Sequence, residues 1–197
     1  MTRSRSGRRP GSSGTREAVL AAARHGFGTA GYSGTTIRGI ARDAGVDPAL
    51  VHRFFGSKEQ LFAAALELPV DLTTLIPSLI TGGPEGLGER LARTFLTTWD
   101  ATPGQGPMLA MLRSAVSDPA AAASFRDFAT RVVLRPLAAA AGADRPQLRA
   151  DLVYAQLLGV AVARYVVRLE PLASTPAEEL ARDVGPLLDH CLRGELG

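Results

Sequence analysis

The sequence predicts an all-α protein: a small N-terminal helix-turn-helix head and a larger C-terminal helical body. Three observations carry the fold. Residues Thr35 to Lys58 (TTIRGIARDAGVDPALVHRFFGSK) read as helix, tight turn, helix and the start of another helix. Beyond residue 69, apolar residues recur at helical spacing between Gly/Pro breaks, with no strand alternation, internal repeat or heptad run. The charge is also divided. Residues 1–58 hold ten Lys/Arg against three Asp/Glu, and residues 59–197 hold twelve against sixteen, so a net charge of +3 conceals a basic head on a mildly acidic body. A polyanion is the expected partner of the head alone.

Residues 1–14 (MTRSRSGRRPGSSG) carry no apolar anchor and are expected to form a disordered basic arm. Its arginines, Arg3, Arg5, Arg8 and Arg9, can trail along phosphates or serve only solubility. The head spans 15–68. Its first helix runs from Thr15, the expected cap, to about Thr29, with Val19, Ala22, Ala23, Gly26 and Phe27 inward and Tyr32 packed beneath the domain. Thr35 or Thr36 caps the second helix, where Ile37, Ile40 and Ala41 share one face. Gly45 supplies the left-handed turn, Asp47 caps the third helix, and Pro48 suits its first position. Val51 and Phe54 are expected to face inward, leaving Pro48, Ala49, His52 and Arg53 outward. Ser57 and Gln60 form a capping box for a fourth helix, which ends toward Pro69, the expected hinge. Lys58, the only lysine, opposes the helix dipole in that first turn, which favours a phosphate contact for it.

The body, 69–197, divides into Asp71–Ile80, Leu87–Asp100, Met108–Ser117, a long helix from Pro119 to about Ala140 kinked near Pro136, an apolar helix over 146–169, and a last helix over 176–192 capped by Thr175. Leu180, Val184, Leu187, Leu188 and Cys191 are expected inside the last helix. The longest apolar stretch, Leu152–Ala163, is too short for a bilayer, and no signal-peptide core is present, so a soluble cytoplasmic protein is expected. One cysteine and three histidines without ligand spacing offer no metal set, and no cofactor is expected. No nucleophile–base constellation or nucleotide fingerprint occurs. TGGPEGLG is glycine-rich but follows no strand, so no enzyme is expected.

The run GYSGTTIRGIARDAGVDPALVHRFFGSKEQLF, followed by a helical body of this length, resembles the TetR family of bacterial transcriptional regulators. The matching pattern covers about Thr15 to Leu68. GPEGLGERLARTFLTTWD, PLAAAAGADRPQLRA and LLGVAVARYVVRLEPLA look more loosely like an actinobacterial subgroup. The resemblance implies a homodimer joined through helices 146–169 and 176–192, an inverted-repeat operator in double-stranded DNA, and an inducer pocket in the body. It places Thr36 and Lys58 on positions that usually contact phosphate, and Asp47, Pro48, Ala49 and His52 on positions facing the groove. Arg38 and Arg53 join them as candidate DNA contacts from the residue reading. The family usually has tyrosine where His52 stands. Histidine is shorter and can donate to a phosphate or accept from a base, so its contact is expected to depend on its protonation.

Pockets in helical bodies are apolar with a few polar groups. The candidates are Phe95, Trp99, Met108, Met111, Phe125, Phe128 and Tyr154, with Trp99 and Met111 preferred and Arg113 or Gln156 as a polar handle. The function expected is a regulator released from its operator by a small apolar molecule. The alternative is a ligand-independent DNA binder whose body only dimerises, which an apolar cavity in the body would disfavour.

Overall fold

The computed structural model describes residues 12–101, 106–114 and 118–195. Most of residues 1–14 therefore lie outside the described residues, as do the end of the segment expected over Met108–Ser117 and the chain's last two residues. Helices α1 (Ser12–Gly34), α2 (Ile37–Asp43), α3 (Pro48–Phe55) and α4 (Lys58–Ala65) build the head. The body comprises α5 (Leu72–Thr81), α6 (Leu87–Asp100), α7 (Pro107–Ser114), α8 (Pro119–Phe128), α9 (Arg135–Ala140), α10 (Pro146–Ala161) and α11 (Ala177–Arg193). No strand occurs among the described residues.

In the head, Val19, Ala23, Phe27, Ile40, Ala41, Val51, Leu61 and Phe62 are buried together. α1 begins at Ser12, so Thr15 lies inside the helix and does not cap it. Gly31, at φ 75, breaks the helix and aims Tyr32 into the core. On α3, Phe55 is buried against Val51 and Phe54 is only half-buried, because spacing four tracks the 3.6-residue turn better than spacing three on so short a helix. The capping box at α4 is half made. Ser57 Oγ accepts from Gln60 N at 3.2 Å, but the Gln60 amide donates to Asp71 Oδ1 at 2.5 Å, the residue that caps α5. Asp71 is thereby held below the usual carboxylate range, chiefly by its hydrogen bonds from Thr73 and then by Gln60.

The body is organised by α6 against α11. They cross at two glycines: a methyl group at Gly88 would lie 2.3 Å from the Gly185 carbonyl oxygen, and one at Gly185 would lie 2.7 Å from Glu89 Cα. Gly88 N also donates to Asp189 Oδ1 at 2.9 Å. α8 runs into α9 through a π-helical segment, Ala129–Leu134, that ends just before Pro136. Widening the helix there accommodates the ring that would otherwise press on the carbonyl four residues back, so the expected kink takes the form of a π turn. α10 likewise continues as a π-helical segment, Val162–Val167, and stops at Arg168, which is left-handed at φ 57.

Two expectations for the last helix fail. Thr175 Oγ1 donates to the Pro171 carbonyl and leaves α11 without a side-chain cap. Leu187 is 56% exposed, since the inward stripe passes through Val184, Leu188 and Cys191. The bilayer estimate from Leu152–Ala163 was also too short. The continuous helix Pro146–Val167 has 22 residues, and its most apolar 18-residue window has a mean hydropathy of 1.4, long and apolar enough to cross a membrane by length and composition. Its inner face, Ala150, Val153, Leu157 and Ala161, is buried in the body core. Buried Arg149 ties its start to the end of α11, with Nη1 donating to the Cys191 carbonyl at 3.0 Å and Nη2 to that of Gly194 at 2.9 Å.

The glycine crossing yields a test. Gly185→Ala forces α6 and α11 apart and should destabilise the protein by about 1–3 kcal/mol, read as a lower urea midpoint with unchanged helical content. A variant as stable as wild type would show that the two backbones do not approach this closely.

Candidate nucleic-acid interface and body cavity

The helix-turn-helix is assembled by local chemistry. Thr36 Oγ1 accepts from Gly39 N at 3.0 Å and caps α2. The turn closes through Val46 N to the Ala41 carbonyl at 2.9 Å, with Gly45 at φ 68. Asp47 Oδ1 accepts from Ala49 N at 2.7 Å and starts α3. Asp47, Ala49, His52 and Arg53 are exposed and Pro48 is half-buried, so α3 presents this set outward. Thr36 and Arg38 are exposed at the start of α2. Capping uses acceptor capacity on both Asp47 and Thr36: the Asp47 carboxylate keeps further lone pairs, and the Thr36 hydroxyl keeps its O–H free to donate.

His52 Nδ1 lies 3.0 Å from the Gly56 carbonyl oxygen. A carbonyl only accepts, so this contact favours the proton on Nδ1 and leaves Nε2 of the neutral ring as an acceptor facing out. Lys58 is less free than expected. Its ammonium sits 4.4 Å from the centre of the Tyr32 ring, and partial burial lowers its pKa. Tyr32 in turn donates to Glu59 Oε1 at 2.9 Å.

Beneath this surface, four rings join head to body. Phe27, Tyr32 and Phe62 pack on one another, and Phe128 of α8 stacks obliquely on Phe62 at 4.5 Å and meets Tyr32 at 5.8 Å. Ser124 Oγ donates to the Phe27 carbonyl at 2.7 Å, and Ser33 Oγ to Asp127 Oδ2 at 2.5 Å. The Ser33 bond, then Arg126 and Arg131, hold the Asp127 carboxyl below its usual range.

The body holds an apolar cavity of about 130 Å³ that is partly open to solvent. Phe95, Trp99, Met108, Phe125, Phe128 and Tyr154 line it. Met111 does not: Met108 and Leu112 take the inward positions of α7, and Met111, one residue before Leu112, is turned toward the cleft between α7 and the head. Arg113 and Gln156 are exposed and offer no polar handle. Sequence reasoning missed Leu68, Val70 and Leu72, which form the wall nearest the head. Their signal was present, since apolar residues alternate through the expected hinge LELPVDL.

A capped helix-turn-helix with an exposed second helix, on a helical body with an apolar cavity, defines a helix-turn-helix DNA-binding regulator. Residues 19–65 match the model of bacterial regulatory proteins of the tetR family, and residues 85–192 match the tetracyclin repressor-like C-terminal domain. The chain belongs to the TetR family and is a DNA-binding transcriptional regulator, not an enzyme. Regulators of this family bind DNA operators and small-molecule effectors and form dimers. Over 51 residues the chain is 49% identical to the HTH-type transcriptional regulator BetI of Rhizobium meliloti, a match spanning 26% of this chain and 25% of that protein. A TetR-family regulator from Streptomyces coelicolor is 39% identical, covering 95% of this chain and 99% of that one, with a TM-score of 0.49. NalD, the secondary repressor of the MexAB-OprM multidrug efflux pump in Pseudomonas aeruginosa, is 22% identical over 88% of this chain and 96% of its own, with a TM-score of 0.43.

The seam between head and body should be acid-sensitive. Because Asp127 has a lowered pKa in the fold, its contribution is complete above the unfolded carboxylate value of about 3.9 and is lost as pH falls through the lower folded one. Asp127→Asn should cost about 1 kcal/mol at pH 7, and the gap to wild type should start to narrow as pH falls below about 4. Urea midpoints of both proteins from neutral pH to pH 3 would check this. A gap that does not narrow at all by pH 3 would assign the loss to packing instead of charge.

Proposed function

We propose that the protein is a dimeric repressor that holds an inverted-repeat operator and lets go when a small apolar molecule enters the body cavity. The observation supporting ligand control is the composition of one wall. Leu68, Val70 and Leu72, the connector leaving α4, line the same cavity as Phe128, which is also part of the aromatic cluster under the head. An occupant touching that wall meets both attachments of the head at once. Ligand acts by binding better to a body state in which the two heads no longer fit successive major grooves. The protein would act in the cytoplasm, where the operator is.

The dimer face is the outer side of α10 and α11. Leu148 is 43% exposed, Val167 64% and Leu187 56%, and a methyl group at Gly159 would meet nothing within 4 Å in the single chain. An exposed apolar strip of this kind, with a flat glycine near its middle, suits packing against its own copy. On the DNA, Thr36, Arg38 and Lys58 serve the phosphates. Asp47, Pro48, Ala49, His52 and Arg53 face the groove, with Nε2 of His52 placed to accept from a base amino group.

Selection of bound sequences from random duplex DNA, then salt titration on the enriched site, tests the reading. We expect an inverted repeat with half-site centres about 34–36 Å apart or a multiple of it. Arg38→Ala, which removes a phosphate contact, should flatten the log–log salt slope by about 0.9. Paired Gly159→Glu and Leu187→Glu changes should yield a folded monomer by sedimentation and lose operator affinity. No enrichment from random DNA would sink the operator reading. A double variant that stays dimeric would sink the interface.

A further inference from the structure

The cavity carries a chemical specification that reaches past its being an effector site, although it rests on that reading. Its lining residues are apolar apart from Thr94, Thr98, Tyr154 and the indole N–H of Trp99, and no Asp, Glu, Lys, Arg or His is among the described lining residues. The carboxylate next to the wall is already engaged. Asp100 accepts from the Tyr165 hydroxyl at 2.8 Å and from Arg164 Nη2 at 3.2 Å. Tyr165, which is not a lining residue, stacks on Trp99 at 5.0 Å, so the Trp99 indole stands between this ionic cluster and the cavity. Arg126 is not a lining residue; its guanidinium is largely exposed and pairs with Asp127, although its charge reaches the Tyr154 hydroxyl and partly offsets the effect of burial there.

An ion entering such a space would lose its hydration without meeting a countercharge on any described lining residue. The Tyr154 hydroxyl is different. It makes no hydrogen bond to another described residue, and burial keeps it protonated by raising its pKa. Size gives the remaining constraint, because a dry cavity of roughly 150 Å³ takes one benzene ring and this one measures about 130 Å³. We infer that the effector is an uncharged, mainly apolar molecule about one aromatic ring in size, bearing one hydroxyl or carbonyl that hydrogen-bonds to Tyr154.

Four compounds of similar shape separate the possibilities: toluene, p-cresol, benzylammonium and benzoate, each titrated calorimetrically into the full chain near neutral pH. p-Cresol should bind about fivefold more tightly than toluene through its one added hydrogen bond. Both charged compounds should bind at least about tenfold more weakly than toluene. Tyr154→Phe should erase the advantage of p-cresol and leave toluene unchanged. Charged compounds that bind as well as toluene would overturn the inferred ligand class while leaving the cavity an effector site. So would binding by 1-naphthol or decanol but by none of the four, since the size would then be wrong. Equal loss of toluene and p-cresol in Tyr154→Phe would remove the hydrogen bond and make the tyrosine a packing residue. Neutral rings that bind but leave operator affinity unchanged would sink the effector reading and keep the cavity chemistry. No binding by any of these compounds would overturn both.

Discussion

The packing of Phe128 against Phe62 and Tyr32 is the contact on which the rest of the arrangement depends. The head has a core of its own, but α1 to α4 are short apart from α1, and one side of that core is closed by a ring from the body. Hydrogen bonds fix where the closure happens. Ser124 reaches the Phe27 carbonyl and Ser33 reaches Asp127, so the break at Gly31 sits against α8 and the rings cannot slide freely along it. Arg24 pins the opposite end by donating to the Ala65 carbonyl and pairing with Glu67, the left-handed residue just after α4. α1 is therefore clamped to α8 on one side and to the end of α4 on the other, and a displacement of either partner reaches the helix-turn-helix through it.

Much of this was legible in the chain. Four helix starts are legible because their caps are local: Thr36, Asp47, Ser57 and Asp118 all accept from the backbone two or three residues on, whereas Thr15 and Thr175, which look alike in sequence, do not cap. The division into an α-helical head and body followed from charge and period. What escaped depends on partners distant in sequence. Nothing near Gly88 announces that Gly185 will cross it, nothing near Gln60 announces that its amide will leave the capping box for Asp71, and a lone buried Arg149 looks like any surface arginine until the end of α11 arrives beside it. Met111 and Leu187 failed for a related reason. Helical period fixes relative angles along one helix, but only the neighbouring helices decide which angle faces inward.

The site divides in the same way. The outward set on α3 is a property of one short helix and could be read from spacing. The tautomer of His52 could not, since it depends on the Gly56 carbonyl that the left-handed turn at the end of α3 brings back to the ring. The role of Lys58 also changes once Tyr32 is in view. A cation at the first turn of α4, which looked unfavourable, rests on an aromatic face and beside Glu59. Its position is thus set by the same ring that packs on Phe128.

That shared ring bears on how small a change can matter. Useful coupling between an effector and an operator is typically about 1–3 kcal/mol, or roughly a five- to 150-fold change in affinity. An aromatic pair contributes about 0.5–1.5 kcal/mol beyond its buried area, and a hydrogen bond such as Ser33 to Asp127 about 1 kcal/mol. Losing one ring contact and one hydrogen bond at the α1–α8 seam is therefore enough, and no unfolding of the head is required. Phe128 is well placed to produce that loss, because it lines the cavity and also packs on Phe62 and Tyr32 of the head. A ligand that needs Phe128 displaced, and that also presses on Leu68, Val70 and Leu72, would bind the released state better than the DNA-bound one by about the energy of those contacts. The small cavity volume then works in favour of control, since an occupant slightly larger than the available space cannot enter without moving the wall that carries the head.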